Sequence, residues 1–350
     1  MKATWYHKPA KEISEKASAT TRERQNQLLK PVGSLGVMEE LAVRLAALQG
    51  TKKPKIDKVS IAIFAADHGV TAANISAFEQ STTVKMIKNL AKGLAPINIV
   101  AQKLGADFDV VNVGTVEGTG KLDGVLNQRV GDGTKDIRHS PAMTPQQLSN
   151  AMRVGHSIAK RAHKDDIELF IGSDLGVGNS TSAGAIVSLL LGIDPGAIAG
   201  PGSGLDEAGI ARKAAAIQQA LDLHAPLITT DATTTLLHLG GFEIAALTGA
   251  FIAAAQNGIP FMVDSFVSAT AALVAVKINP SVQAWLFFAH RSAEPGQGSI
   301  LRALDATPIL HLDITSGAGT GAALAVPLLQ MACAINNKTA TLAEGKIELS

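Results

Sequence analysis

Six short, largely apolar runs, separated by longer stretches of helical periodicity, constrain this chain more than any other feature. They span Val59 to Ala65, Phe108 to Val113, Ile167 to Ile171, Pro260 to Val263, Trp285 to Ala289 and Ile309 to Leu312. Continuous rather than alternating hydrophobicity implies strands buried on both faces, and helices between them imply parallel pairing through right-handed crossovers. Helical patterns fill Thr83 to Leu104, Thr144 to Ala162, Thr181 to Leu191, Asp206 to Leu221, Phe242 to Gln256 and Val267 to Val276. In the Asp206 stretch, Ile210, Ala214, Ile217 and Leu221 form one stripe. The fold class is therefore α/β, a parallel sheet flanked by helices. Two segments fall outside the alternation. The first fifty residues read as helices without a strand, and Thr320 to Asn336 as an apolar helix. They predict a body over 51–319 and a small helical lobe made from 1–50 together with 320–350.

Composition removes several function classes. The charge sum, 31 basic against 30 acidic residues, is +1, so no global field recruits DNA or an anionic membrane. The basic stretch Thr51 to Lys58 reads as a solvated linker, not a nucleic-acid patch. The single cysteine, Cys333, excludes a disulfide framework and a multi-cysteine zinc site, and its apolar helical surroundings make it a packing residue. Met1 to Thr20 has no apolar signal core, and the run Ile244 to Val263 is interrupted by Gln256, Asn257, Gly258 and Pro260. A cytoplasmic, soluble chain is expected. Aromatic residues are only 4%, against 33 glycines, so the core must rely on small aliphatic side chains and close backbone approach.

Ligands of a parallel α/β sheet collect beyond the carboxyl ends of its strands. Those ends are polar here: Asp67-His68-Gly69, Asn112, Asp174, Asp264 and His290-Arg291-Ser292. The strongest single feature is Ser173 to Thr181 (SDLGVGNST), running from a strand into a helix. Gly176 and Gly178 permit close approach, and Asn179, Ser180 and Thr181 crowd a helix N-terminus, which suits a phosphate. A tight turn with an N-cap has the same appearance. A second glycine loop, Gly200 to Asp206, precedes a helix carrying Arg212 and Lys213, and a third, Ser316 to Gly321, enters the last helix. Two such loops with a cation fit a phosphorylated sugar. The sequence contains neither a nucleoside triphosphate loop nor a dinucleotide fingerprint nor a GxSxG elbow. His68, His290 and His311 match no local metal motif, so no metal or other cofactor is expected.

Taken in order, the motifs resemble one family end to end. They are LLKPVGSLGVMEELA (Leu28 to Ala42), AADHGV (Ala65 to Val70), ISAFEQSTT (Ile75 to Thr83), DLGVGNSTSAGA (Asp174 to Ala185) and GPGSGLDEAGIARK (Gly200 to Lys213). LGGFEIAALTGAFIAAA (Leu239 to Ala255), FAHRSAEPG (Phe288 to Gly296) and GTGAALAVPLLQMACA (Gly319 to Ala334) complete the series. The chain resembles the nicotinate-nucleotide–dimethylbenzimidazole phosphoribosyltransferases of cobalamin lower-ligand assembly. The resemblance implies a Rossmann-like body, a helical lobe from both termini and a homodimer. It implies transfer of phosphoribose from nicotinate mononucleotide to an aromatic base such as dimethylbenzimidazole, giving nicotinate and α-ribazole 5′-phosphate. By the same resemblance, Gly176, Gly178, Asn179, Ser180, Thr181, Gly202, Ser203, Lys213, Asp264 and Ser292 would hold the nucleotide. Phe78, Met86 and Leu175 would line the aglycon pocket.

The chain departs from the family at one place. Where the family carries a glutamate base in a GEGTG or GEGSG motif, this sequence reads Gly317-Ala318-Gly319, without the arginine that usually precedes it. The family's other site carboxylate, usually glutamate, is here Asp174. Alanine accepts no proton, so Asp174, directly or through water, is the remaining base, and a slow enzyme is expected. The alternative is a non-catalytic nucleotide-binding paralogue, or a partner subunit of an active homologue.

Overall fold

The computed structural model describes residues 4–228 and 231–347. Its centre is an all-parallel six-stranded sheet with the order β3-β2-β1-β4-β5-β6. The strands are β1 (Val59–Ala66), β2 (Asp107–Gly114), β3 (Val125–Asn127), β4 (Leu169–Leu175), β5 (Phe261–Val263) and β6 (Leu286–Phe288). The chain runs outward from β1 to β3 and returns to the other side of β1 as β4. The direction of progression therefore reverses between β1 and β4, which pair from Val59↔Leu169 to Ala65↔Leu175. Such a reversal leaves a crevice at the carboxyl ends, because the loops leaving the two strands go to opposite faces of the sheet.

The sequence expectations differ from the structure in four of its helices and strands, and in one linker described below. Ile309 to Leu312 is not a strand of the sheet: Leu310 makes one parallel bridge to His290 and the pairing stops. Pro308 precedes the segment and Asp313, at φ +52°, turns the chain away, so only a brief extension of the β6 edge remains. The three-residue β3 has no apolar run to announce it, since its side chains go from buried to exposed. Thr83 to Leu104 is two helices, Thr82–Ala91 and Pro96–Leu104, because Gly93 adopts φ +77° and Pro96 starts the second. The helix Glu207–His224 buries Gly209, Lys213, Ala216, Ile217, Ala220 and His224, whereas Ile210, Ala214 and Leu221 are only half-buried. Its inner face is rotated from the expected stripe because a lysine points inward.

The helix Phe242–Asn257 is buried along nearly its whole length, from Phe242 to Ala255. It crosses the helix Pro145–Lys164 at backbone distance. A Cβ on Gly155 would lie 1.7 Å from the Ala246 carbonyl oxygen, and one on Gly249 would lie 2.2 Å from that of Met152. Small residues thus do the packing that aromatic rings do elsewhere.

Both terminal segments meet beside this body. The helices Glu15–Gln27 and Val37–Gln49 pack with Thr320–Lys338. Gln25 Nε2 donates to Asn336 Oδ1 at 3.0 Å, and Leu28 bridges Thr341. The segment Thr51 to Lys58 is anchored rather than free: Pro54 and Ile56 are buried, and Lys55 Nζ lies 2.6 Å from Glu168.

Candidate active site

The carboxyl edge of the sheet collects polar side chains that are almost all withdrawn from water. Asp67, His68, Asn112, Asp174, Asp264, His290 and Ser292 are buried. Burying so many polar groups costs free energy unless each is hydrogen-bonded, so their partners reveal their roles.

The floor of the crevice is His68, at the exit of β1. Its Nε2 lies 2.7 Å from Glu243 Oε1 and its Nδ1 3.0 Å from Ser182 Oγ. Burial works against a proton on this ring, but the charge and hydrogen bond of Glu243 outweigh it, so the His68 pKa is raised. The ring fills the space that a side chain at residue 241 would need: a Cβ on Gly241 would lie 2.3 Å from its Cε1. The imidazole thereby ties the first turn of helix Asn179–Leu191 to that of helix Phe242–Asn257.

Asp174 closes β4 above this floor. Asn179 Nδ2 donates to its Oδ2 at 2.8 Å, while its buried Oδ1 has no protein partner among the described residues. Burial, then the nearby Asp264 and Glu243 carboxylates, push its pKa up to about 7. The following turn presses against β1, since a Cβ on Gly176 would lie 2.4 Å from the Ala66 carbonyl oxygen. Gly178 adopts φ +91° and begins the helix carrying Asn179, Ser180 and Thr181. Val177 N–H donates to Thr83 Oγ1 at 3.2 Å, which fastens the helix bearing Met86 to the turn after Leu175. Met86 and Leu175 are half-buried, while Phe78 is 52% exposed.

Lys213 is the most unusual member of the site. It is 2% exposed, and its Nζ donates to the Gly200 carbonyl at 2.9 Å and to Ser180 Oγ at 3.2 Å. Burial lowers its pKa, with Glu294 acting in the opposite direction. Among the described residues, no carboxylate oxygen lies within 4.0 Å of it. Gly202 sits above the ammonium, its absent Cβ position 3.1 Å from Nζ and 3.5 Å from Ser180 Oγ. Both glycine loops therefore converge on one buried cation. Ser203 is exposed at the rim, and Arg212 turns away to the Asn74 carbonyl.

Asp264 has a different environment from the other carboxylates. Its Oδ2 accepts from Ser173 Oγ and Gly319 N–H, both at 2.9 Å, and its Oδ1 accepts from Ala322 N–H at 2.8 Å. It caps the last helix and fixes the loop Ser316–Gly321 against β4. That loop places Ala318, at φ +56°, next to the segment that carries Ser173 and Asp174. His290 lies under the same helix, 3.6 Å from Asp264 Oδ1, and His311 is exposed 3.7 Å from Asp313. No group of three His, Cys, Asp or Glu suited to a metal ion occurs among the described residues. Nor, among them, is any helix long and apolar enough to cross a membrane.

Three participants escape sequence reasoning. Glu243 carried a usable signal, as a lone carboxylate behind two glycines at the head of an uncharged helix. Glu294 and Gln297 carried none. Gln297 Nε2 donates to the carbonyls of Asp264 and His290 while its Oε1 accepts the Ser292 N–H, holding the segments that leave β5 and β6 together.

Comparison with known proteins identifies the family. A family profile described as phosphoribosyltransferase matches residues 10–347. A nicotinate-nucleotide–dimethylbenzimidazole phosphoribosyltransferase of Pseudomonas putida (strain KT2440) is 46% identical over 347 residues, 99% of each chain. A relative of the same name from Xanthomonas oryzae pv. oryzae is 50% identical, covering 93% of this chain and 92% of its own. Among solved structures, a nicotinate-nucleotide–dimethylbenzimidazole phosphoribosyltransferase from Thermus thermophilus superposes with a TM-score of 0.91. It is 36% identical, over 96% of this chain and all of that one.

Proposed function

This chain belongs to the nicotinate-nucleotide–dimethylbenzimidazole phosphoribosyltransferase family, and from that premise we propose how its own residues run the transfer. The protein is a phosphoribosyltransferase acting in cobalamin biosynthesis, and its donor is nicotinate mononucleotide. The observation that carries the assignment lies along one sheet edge, where a buried ammonium held only by neutral oxygens joins a buried carboxyl poised near neutrality. Lys213, Ser180 and the Gly202 amide face the phosphate, with Ser203 and Ser292 at its rim. Gly176, Gly178, Asn179 and Thr181 line the ribose. Asp264 acts by bracing the loop that closes the crevice. Phe78, Met86 and Leu175 offer apolar contact to the flat acceptor ring.

The chemistry asks little more. The nicotinate ring is cationic while attached, so it departs with the electrons of the C1′–N bond as a neutral ring. The acceptor nitrogen attacks C1′ from the opposite face, which gives the α-riboside. Its ring then carries an extra positive charge, relieved when the azole N–H proton passes to Asp174, directly or through water. Holding both rings in line supplies most of the rate. The family's glutamate position is Ala318, so Asp174 is the proton acceptor this chain retains.

A homodimer is supported by the loop between the first two helices, which exposes Leu29, Val32, Leu35 and Val37 in a short span. The buried lone thiol of Cys333 asks for no oxidising compartment and supports a cytoplasmic setting. Incubating the purified protein with nicotinate mononucleotide and dimethylbenzimidazole should yield nicotinate and α-ribazole 5′-phosphate in equal amounts. Absence of product above the enzyme-free rate, across several aromatic bases, would overturn the reading.

A further inference from the structure

The phosphate cradle already contains an anion of its own. Glu294, just ahead of the helix Pro295–Ala303, reaches back across the site, and its Oε1 accepts the Gly202 N–H at 2.9 Å. Its Oε2 is buried without a hydrogen-bond partner among the described residues, 2.3 Å from where a Cβ on Gly200 would lie. The main chain at Glu294 is held in turn by Ser292 Oγ, which accepts its N–H at 3.2 Å. The carboxylate therefore sits among Gly200, Gly202 and Ser292, the loops that enclose Lys213 and Ser180. It uses the amide that an incoming phosphate would need.

We propose that Glu294 is a resident stand-in for the substrate phosphate, and that nucleotide binding displaces its carboxylate from the Gly202 amide toward Arg291. The inference rests on the placement of the phosphate given above. Two anions cannot share the Gly202 amide without strong repulsion, so one must leave. Space for the departing side chain exists. A cavity of about 340 Å³ opens beside the cradle, and Arg291, Ser292, Glu294, His311 and Asp313 line it. Arg291 is exposed there and supplies the positive charge to receive a carboxylate. In the empty protein, Glu294 keeps the Gly202 loop in its binding shape and gives Lys213 a nearby negative charge. In the loaded protein, its repulsion favours release of the phosphorylated product. Glu294 is thus a positioning residue that trades affinity for turnover.

Titration of the full-length protein with inorganic phosphate and with nicotinate mononucleotide tests this. Glu294→Gln should bind both on the order of 10-fold more tightly, because the like charge is gone. Glu294→Ala should also tighten binding, which covers the case of a glutamine variant that folds poorly. Arg291→Ala should weaken binding several-fold in the parent protein but not in the Glu294→Gln background, a coupling that independent residues would not show. Unchanged or weaker binding in both Glu294 variants, or an equal Arg291 effect in both backgrounds, overturns the proposal. Phosphate binding that survives Lys213→Ala undiminished would show that the phosphate lies elsewhere. That result would remove the placement itself, and the displacement with it.

Discussion

The opposite ends of the crevice are built on opposite plans. At the end proposed to hold the phosphate, four segments converge on one point: the turn of Ser180, the loop of Gly202, the helix of Lys213 and the loop of Glu294. Its donors are already in place around a seat for an anion. At the end proposed to accept the proton, a single carboxylate, Asp174, keeps one oxygen without a hydrogen-bond partner among the described residues, and the loop across from it presents only the methyl group of Ala318. An anion must be met by many donors placed in advance, because each alone is weak. A proton needs a single acceptor of the right affinity, and environment can tune that affinity. On the proposed reading, the proton can therefore be taken by whichever carboxylate its surroundings tune, whereas no such exchange is open to the cradle.

The sharpest break of this contrast is Asp174→Asn. With Ala318 unable to take the proton, kcat should fall by about 10²–10⁴-fold while binding of nicotinate mononucleotide is unchanged. In the parent enzyme, kcat should decline as pH drops below about 7, where Asp174 takes up its proton. The variant should lack that limb. Steady-state rates across pH 5–9 check both expectations.

Ala318→Glu sharpens the contrast from the other side by restoring a carboxylate where the loop offers only a methyl group. Transfer to dimethylbenzimidazole should rise, by up to about 10²-fold if general-base assistance limits the rate. A flat rate with unchanged nucleotide affinity would mean that the ends differ for some reason other than a missing base.

Lys213→Ala should act on the opposite end alone. Loss of a charge-assisted contact costs about 1.5–3 kcal/mol, so KM for nicotinate mononucleotide should rise roughly 10–100-fold with every acceptor. A change that depended on the acceptor would erase the distinction between the ends.

The smallest effect is on stability. The pKa of Asp174 is raised in the folded protein, so folding favours its protonated form. Between the ordinary carboxylate range and about pH 7, the native state holds the extra proton, and stability falls as pH rises through that window. Asp174→Asn removes the penalty on a buried charge. Its Tm should therefore exceed the parent's at pH 8, and the difference should vanish near pH 4, as thermal melts would show.

The alternation of apolar runs with helical periods was enough to foresee the parallel sheet, because strands buried on both faces leave no other pattern. The strand ends Asp67, Asp174 and Asp264 were foreseeable for the same reason. What periodicity could not reveal was direction within an element. Lys213 reads as a cation beside the second glycine loop, but nothing local says that it is buried, and only the Gly200 carbonyl and Ser180, brought in by distant loops, make an inward lysine tolerable. Asp264 reads as one more ligand at the edge, yet its oxygens are taken by the backbone of a helix 55 and 58 residues further on. Glu294 sits in an ordinary turn sequence, and its meaning comes from Gly202, 92 positions away. Long-range partners decide these roles, and a local window holds no trace of them.

The seam between the helices Pro145–Lys164 and Phe242–Asn257 has one more consequence, for how this protein tolerates change. Gly155 and Gly249 meet opposing carbonyl oxygens at distances that no side chain can share. Even a methyl group there would have to push the helices apart, and Glu243 rides on one of them. At these two positions heritable variation is consequently restricted to glycine. Exposed positions such as Phe78 carry no comparable steric veto. The chain is thus free to vary along its exposed rim and fixed in how it seats the helix whose Glu243 holds His68.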